Sequence, residues 1–191
     1  MKTVFFLLIL ASLTLAGCIG TTQTNQTAGA LQQDKVVELT FDFTRQSGRA
    51  TNQFAVWIED ANGQHVKTIF ATRFTANGGW RRRPDSIPNW VRQFDISNMA
   101  RVQIDSISGA TPRTGAQSFI WNGTDSNGIT VPSGYYTLFL EGTLRWENRV
   151  IYRVPIQLGG GAALAEVSVE YSGDFIPERS MIDNVMVQVF R

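Results

Sequence analysis

"WNGTDSNGITVPSGYYTLFLEG", Trp121 to Gly142, holds two turns and the start of a long strand, and its reading decides the fold. Trp121 closes the apolar run "AQSFIW" and stands where it can cap a core. Asp125, Asn127 and Gly128 suit a turn with positive φ, since glycine has no Cβ to clash and short polar side chains bond the backbone beside them. Pro132 and Gly134 set a second turn. Tyr135 or Tyr136 then starts the strand "YYTLFLEGTLRW", one of the two rings facing inward. Calcium is the other use of such a turn, but the carboxylate array and closing Glu of an EF-hand loop are missing, so turn chemistry accounts for it.

The same grammar runs outward in both directions. "VVELTFDF" alternates, with Val37, Leu39, Phe41 and Phe43 on one face. "FAVWIED" is a second strand, Asn62-Gly63 reads as a type I′ hairpin, and "HVKTIFATRF" returns. Residues 75–99 break the pattern with Trp80, Trp90, the run Arg81-Arg82-Arg83 and two prolines; a short helix is expected around "NWVRQFDI" and a short strand at "RVQIDSI". After Gly142, "RVIYRVPIQL", "AEVSVEYS" and "MIDNVMVQVF" complete about eight strands, with the glycine loop "LGGGAAL" between two of them. Many short strands, short turns and little helix predict an all-β, antiparallel β-sandwich.

The 191 residues are 43% hydrophobic and 17% charged, enough for one such domain. Net charge is +1, and losing a leader that contains Lys2 takes it to about zero. That balance argues against nucleic acid as a partner. A single histidine excludes a His-based metal cluster.

"MKTVFFLLILASLTLAGC" has one basic residue, an apolar run from Val4 to Leu15 and small residues after it: a secretory signal, too short to span a bilayer comfortably. Leu15-Ala16-Gly17-Cys18 resembles the lipobox of prokaryotic lipoproteins, which implies cleavage before Cys18 and acylation of its thiol. The expected division is therefore a signal peptide at 1–17, a lipidated tether at 18–34 and a sandwich domain at 35–191. Several acyl chains anchor stably where one is marginal. Ile19, not Asp, follows the anchor, which resembles the outer-membrane sorting pattern. The expected address is the periplasmic side of an outer membrane where one exists, and otherwise the outer face of the cytoplasmic membrane.

The Trp121–Gly142 block resembles the W-[DN]-G-x-D-x-x-G-x-x-V-x-x-G-x-Y-x-L pattern of bacterial immunoglobulin-like domains, including that of flagellar hook-capping proteins. This implies an immunoglobulin-like sandwich. Taken with "FAVWIEDANGQHVKTI" and "DSISGATPRTG", residues 35–190 are similar to a family of predicted periplasmic proteins of unknown function, associated with flavin-transferase and membrane redox genes.

Asp105, Ser108, Gly109, Ala110 and Thr111 in "DSISGAT" resemble the D-x-x-[ST]-G-A-T flavinylation motif of membrane redox subunits. The resemblance implies covalent FMN, joined through its phosphate to the Thr111 hydroxyl by a flavin transferase. Arg113 stands where Ser or Thr is usual, and Pro112 follows the acceptor directly. The plain alternative is a tight loop turned by Ser and Gly and stiffened by proline. In "GGWRRRPDSIPNW", Arg81, Arg82 and Arg83 between Trp80 and Trp90 offer a surface for an anion or acidic partner. Here the alternative is a solvated loop whose tryptophans plug one end of the sandwich.

Catalysis has little to stand on. His65 is expected at the surface without a nucleophile beside it, adjacent Glu59 and Asp60 point to opposite faces of a strand, and G-x-S-x-G is absent. The expectation is a non-enzymatic, lipid-anchored binding or scaffold protein, with two alternatives: an FMN-carrying subunit of a membrane redox system, or an adhesive module without a cofactor.

Overall fold

A computed structural model describes residues 36–173 and 177–190. Cys18 and the segments expected as leader and tether lie outside the described residues. The strands are β1 (Val37–Phe43), β2 (Gln53–Asp60), β3 (His65–Thr72), β4 (Ser108–Gly109), β5 (Gly115–Trp121), β6 (Gly134–Arg145), β7 (Asn148–Leu158), β8 (Ala163–Leu164), β9 (Ser168–Ser172) and β10 (Ile182–Val189). Three short helices, α1 (Arg73–Ala76), α2 (Pro88–Phe94) and α3 (Arg101–Ile107), fall between β3 and β4.

Two sheets form. One has the order β5-β1-β10-β8 and the other β4-β3-β2-β6-β7-β9. All pairings are antiparallel except β3 with β4, which run parallel. Inward residues of both sheets make the main core: Val37, Leu39 and Phe43 of β1 and Leu140 and Val154 of β6 and β7 are all fully buried. The period-two pattern put these side chains on one face, and burial of that face holds the sheets together.

The Trp121 hairpin forms as its residues demand. The Asp125 carboxylate accepts from Asn127 N at 2.8 Å and Ile129 N at 2.9 Å, and Gly128 takes φ 81°. Trp121 is buried and donates from Nε1 to Thr124 O at 2.8 Å. Tyr136 is the inward tyrosine, and Tyr135 is 65% exposed. The Tyr136 hydroxyl donates to Pro132 O at 2.8 Å, tying the strand start back to its own turn.

Three expectations are corrected. "RVQIDSI" is helix α3, not a strand: Ile104 and Ile107 both reach the apolar layer beneath, a helical spacing, while Val102 is 74% exposed. The Asn62-Gly63 turn is not type I′. Only Gly63 has positive φ, and Gly63 N donates to Asp60 O at 3.0 Å, a type I turn closed by a left-handed glycine. The Asp60 carboxylate selects it by accepting from Asn62 N and Gln64 N. Finally, His65 is half-buried rather than free at the surface. Its ring lies 5.0 Å from the Phe94 ring, and burial pushes its pKa down to about 4.

The main departure is a second core. Residues 73–107 fold over the outer face of the six-stranded sheet, where Ala55, Trp57, Ala71 and Ile151 meet Ile87, Trp90, Phe94 and Ile96. Trp57 stacks on Phe139 at 4.9 Å, and Trp90 donates from Nε1 to Thr68 Oγ1 at 3.0 Å. The layer is pinned by Glu141, a fully buried carboxylate on β6. It accepts from the backbone N–H of Trp90 at 2.9 Å and of Asn89 at 3.2 Å, so a strand side chain caps α2. Burial raises the Glu141 pKa, against the pull of these bonds.

Candidate functional site

The candidate site is an open cleft of about 570 Å³ at the end of the sandwich where β1 finishes and the β6–β7 hairpin turns. Arg45 and Arg49 come from the β1–β2 loop, Phe74 from α1, and Arg82 and Arg83 from the segment that leads into α2. Thr111 and Trp146, the latter at the hairpin tip, complete the wall. A smaller pocket of about 100 Å³ shares Ala50, Arg82, Arg83 and Trp146 with it.

Local bonds hold each wall. In the β1–β2 loop Asn52 takes φ 62° and bonds Gln46 twice, accepting from its N at 2.7 Å and donating to its O at 2.8 Å. Arg45 N donates to Thr114 Oγ1 at 3.0 Å, which ties this loop to the stretch after Thr111. Trp146 N donates to Ala50 O at 2.8 Å, joining the hairpin tip to the same loop. Ala50 (φ 57°) and Trp146 (φ 52°) both sit in left-handed backbone that side chains disfavour.

The arginine segment is fastened from below by buried hydroxyls. Gln53 Oε1 accepts from Thr72 Oγ1 at 2.7 Å and Thr75 Oγ1 at 3.1 Å, and Thr75 meets Ser86 Oγ at 2.9 Å. Thr143 Oγ1 accepts from Ile87 N at 2.9 Å and donates to Asp85 O at 3.2 Å. Each hydroxyl is buried and paired, so the network costs little to bury and fixes where Arg82 and Arg83 stand.

The cleft is electropositive. Four of its lining residues are arginines and none is Asp or Glu. Among the described residues, no carboxylate lies within ion-pair distance of Arg45, Arg49, Arg82 or Arg83. Arg83 lies 4.1 Å from the Phe74 ring centroid and Arg82 lies 5.8 Å from it, so one aromatic ring steadies both guanidinium groups. Burial, then the neighbouring Arg82 charge, lowers the Arg83 pKa.

The residues singled out in the sequence divide. Arg82 and Arg83 join Thr111 in the cleft. Arg81 stacks on Trp80 at 4.6 Å and lines a separate pocket with Arg101. Trp90 is not part of any surface: at 0% exposure it belongs to the second core, because its indole spans from α2 to Thr68 of β3. Asp105 is exposed on α3, 3.7 Å from Arg101. Ser108 and Gly109 are built into the sheet edge as β4. A Cβ at Gly109 would meet the Phe70 ring at 2.5 Å, so packing alone demands glycine there. Ala110 is exposed, and the half-buried Thr111 donates to Asn52 O at 3.5 Å.

Arg45, Arg49, Phe74 and Trp146 escaped the sequence reading. Two arginines within the single short loop "TRQSGRA" were the available signal. Among the described residues no three His, Cys, Asp or Glu side chains converge as a metal site.

Residues 34–174 match the family model described as "Predicted periplasmic protein (DUF2271)". The chain belongs to this family. Its members' address agrees with the exported location expected from the leader. No curated protein and no solved structure matches the chain.

Proposed function

We propose that this DUF2271 chain is a lipid-anchored, non-enzymatic binding component of the cell envelope, and that the arginine cleft is its binding site. Four arginines lining a cleft whose wall includes no carboxylate carry this reading. Clustered like charges repel one another, and a docked anion turns that cost into affinity. The anion belongs to a ligand or partner in a membrane-associated system, and the resemblance to flavin-linked families favours a redox one. Titration calorimetry of the full chain with inorganic pyrophosphate tests the cleft. Saturable binding that falls at least tenfold in Arg82→Gln/Arg83→Gln, and weakens with added salt, is the expected result. Absence of saturable binding removes the reading. For the anchor, Cys18→Ser is expected to move the chain from the membrane to the soluble fraction.

A second reading has FMN on Thr111, in the same cleft as the arginines that would neutralise its phosphate. The Thr111 oxygen would attack the flavin-side phosphorus of FAD. A new phosphoester forms, the pyrophosphate bond breaks, AMP leaves, and a base takes the hydroxyl proton. The Gly109–Phe70 contact and the β3–β4 pairing require this edge to open before it enters another enzyme's site. Co-production with a flavin transferase active on a control acceptor decides the matter. A mass gain of one FMN that Thr111→Ala abolishes supports modification, and an unmodified Thr111 excludes it.

A further inference from the structure

We infer that the arginine cleft takes a phosphate monoester carrying a flat aromatic ring, the class to which nucleoside monophosphates belong. The inference rests on the cleft being an anion site and adds what the rest of the ligand must be. Three observations carry it.

The first is that the charge is backed by hydrogen-bonding groups of a kind that suits a phosphate. Arg82 and Arg83 are adjacent in sequence and flank one Phe74 ring, which limits the freedom their side chains lose on binding. Guanidinium forks match the tetrahedral oxygens of a phosphate, and four cations exceed what a single carboxylate uses. Among the described residues the Thr111 hydroxyl makes one long bond, 3.5 Å, to Asn52 O, and it can serve as a further donor.

The second is Trp146. It is 52% exposed and lines both the cleft and the adjoining pocket. Its backbone is held at φ 52° by the bond from its N to Ala50 O, so the indole stands at the rim despite a conformation that glycine would adopt more cheaply. A large aromatic at such a position, next to guanidinium groups, supplies a stacking face for a planar ring. The third is size. About 570 Å³ suits a small organic ligand and exceeds what bare phosphate fills.

The test uses the full chain in mild detergent, with adenosine 5′-monophosphate, inorganic phosphate and adenosine as probes, followed by calorimetry and Trp fluorescence. The monophosphate is expected to bind at least tenfold more tightly than either fragment. Trp146→Ala is expected to lower its affinity to the level of phosphate, and Trp146→Phe to restore most of it. Arg82→Gln/Arg83→Gln is expected to weaken both phosphate-bearing probes together. Equal binding of phosphate and monophosphate, unchanged by Trp146→Ala, overturns this inference and leaves the anion site standing. No binding of either probe removes both. Arginine-dependent binding to anionic phospholipid vesicles, without binding of the monophosphate, assigns the cleft to a headgroup and overturns the inference as well.

Discussion

Both faces of the six-stranded sheet are buried at its centre, yet by different means. The inner face meets another sheet, and its partners repeat every second residue: Val150, Tyr152, Val154 and Ile156 of β7 all turn inward. The outer face meets residues 73–107, whose contacts follow no single period and depend on one buried carboxylate and a set of hydroxyls. Sheet-on-sheet packing is a consequence of strand patterning, repeated at each rung. Helix-on-sheet packing here is a collection of individual fits, each open to disruption by one substitution. The candidate cleft takes one wall from each system, so Arg82 and Arg83 are only as well placed as the helical layer.

The largest expected effect separates the two cores. Trp90→Ala removes the fully buried tryptophan of the outer layer and is expected to cost ~3–5 kcal/mol. Hydrogen exchange is expected to show lost protection in residues 73–107 while β1, β7 and β10 stay protected. Equal loss in both regions would make the two cores one cooperative unit and break the comparison.

Protonation gives the next effect. The fold keeps His65 neutral to about pH 4, whereas the unfolded chain takes up its proton near 6.5. Stability from this residue is complete above 6.5 and is lost as pH falls toward 4, by roughly 3 kcal/mol in all. Glu141 acts with the opposite sign: its raised pKa favours the fold at low pH and costs stability as pH rises through the folded value. Denaturation midpoints followed from pH 7 to 4 are expected to fall, and His65→Gln to flatten that fall. A steeper fall in the variant would assign the slope to other groups.

Gly109→Ala places a methyl group 2.5 Å from the Phe70 ring and is expected to cost ~1–3 kcal/mol, read by urea melts. Asp105→Ala, within the same motif, breaks only an exposed ion pair and is expected to stay within about 0.5 kcal/mol. The two results sharpen what the motif is for. A costly glycine beside a neutral aspartate marks a packed sheet edge. A neutral Gly109→Ala would show that the edge opens readily, as an acceptor loop must.

Much of the inner sandwich was legible because alternation is a local signal. Leu39, Phe41 and Phe43 declare their face by spacing alone, and Asp125 with Gly128 declares a turn. The β2 run "FAVWI" is buried on both faces, and its continuous apolar character was an available signal of a covered outer face that the strand assignment did not use. It carried no information about the cover. Strand periodicity in "RVQIDSI" was outweighed by the apolar layer that Ile104 and Ile107 reach only as a helix.

By itself the chain determined an exported location, most of the strands and turns, and a two-sheet fold, since each depends on residues a few positions apart. Only the tertiary structure decided that Arg45, Arg49, Arg82, Arg83, Thr111 and Trp146 share one cleft. They are up to about a hundred residues apart in sequence, and no local spacing encodes their meeting. It also decided that Trp90 is core and that Gly109 answers to Phe70. Burial and steric fit are properties of neighbours in space, and those neighbours exist only once both faces of the sheet are covered.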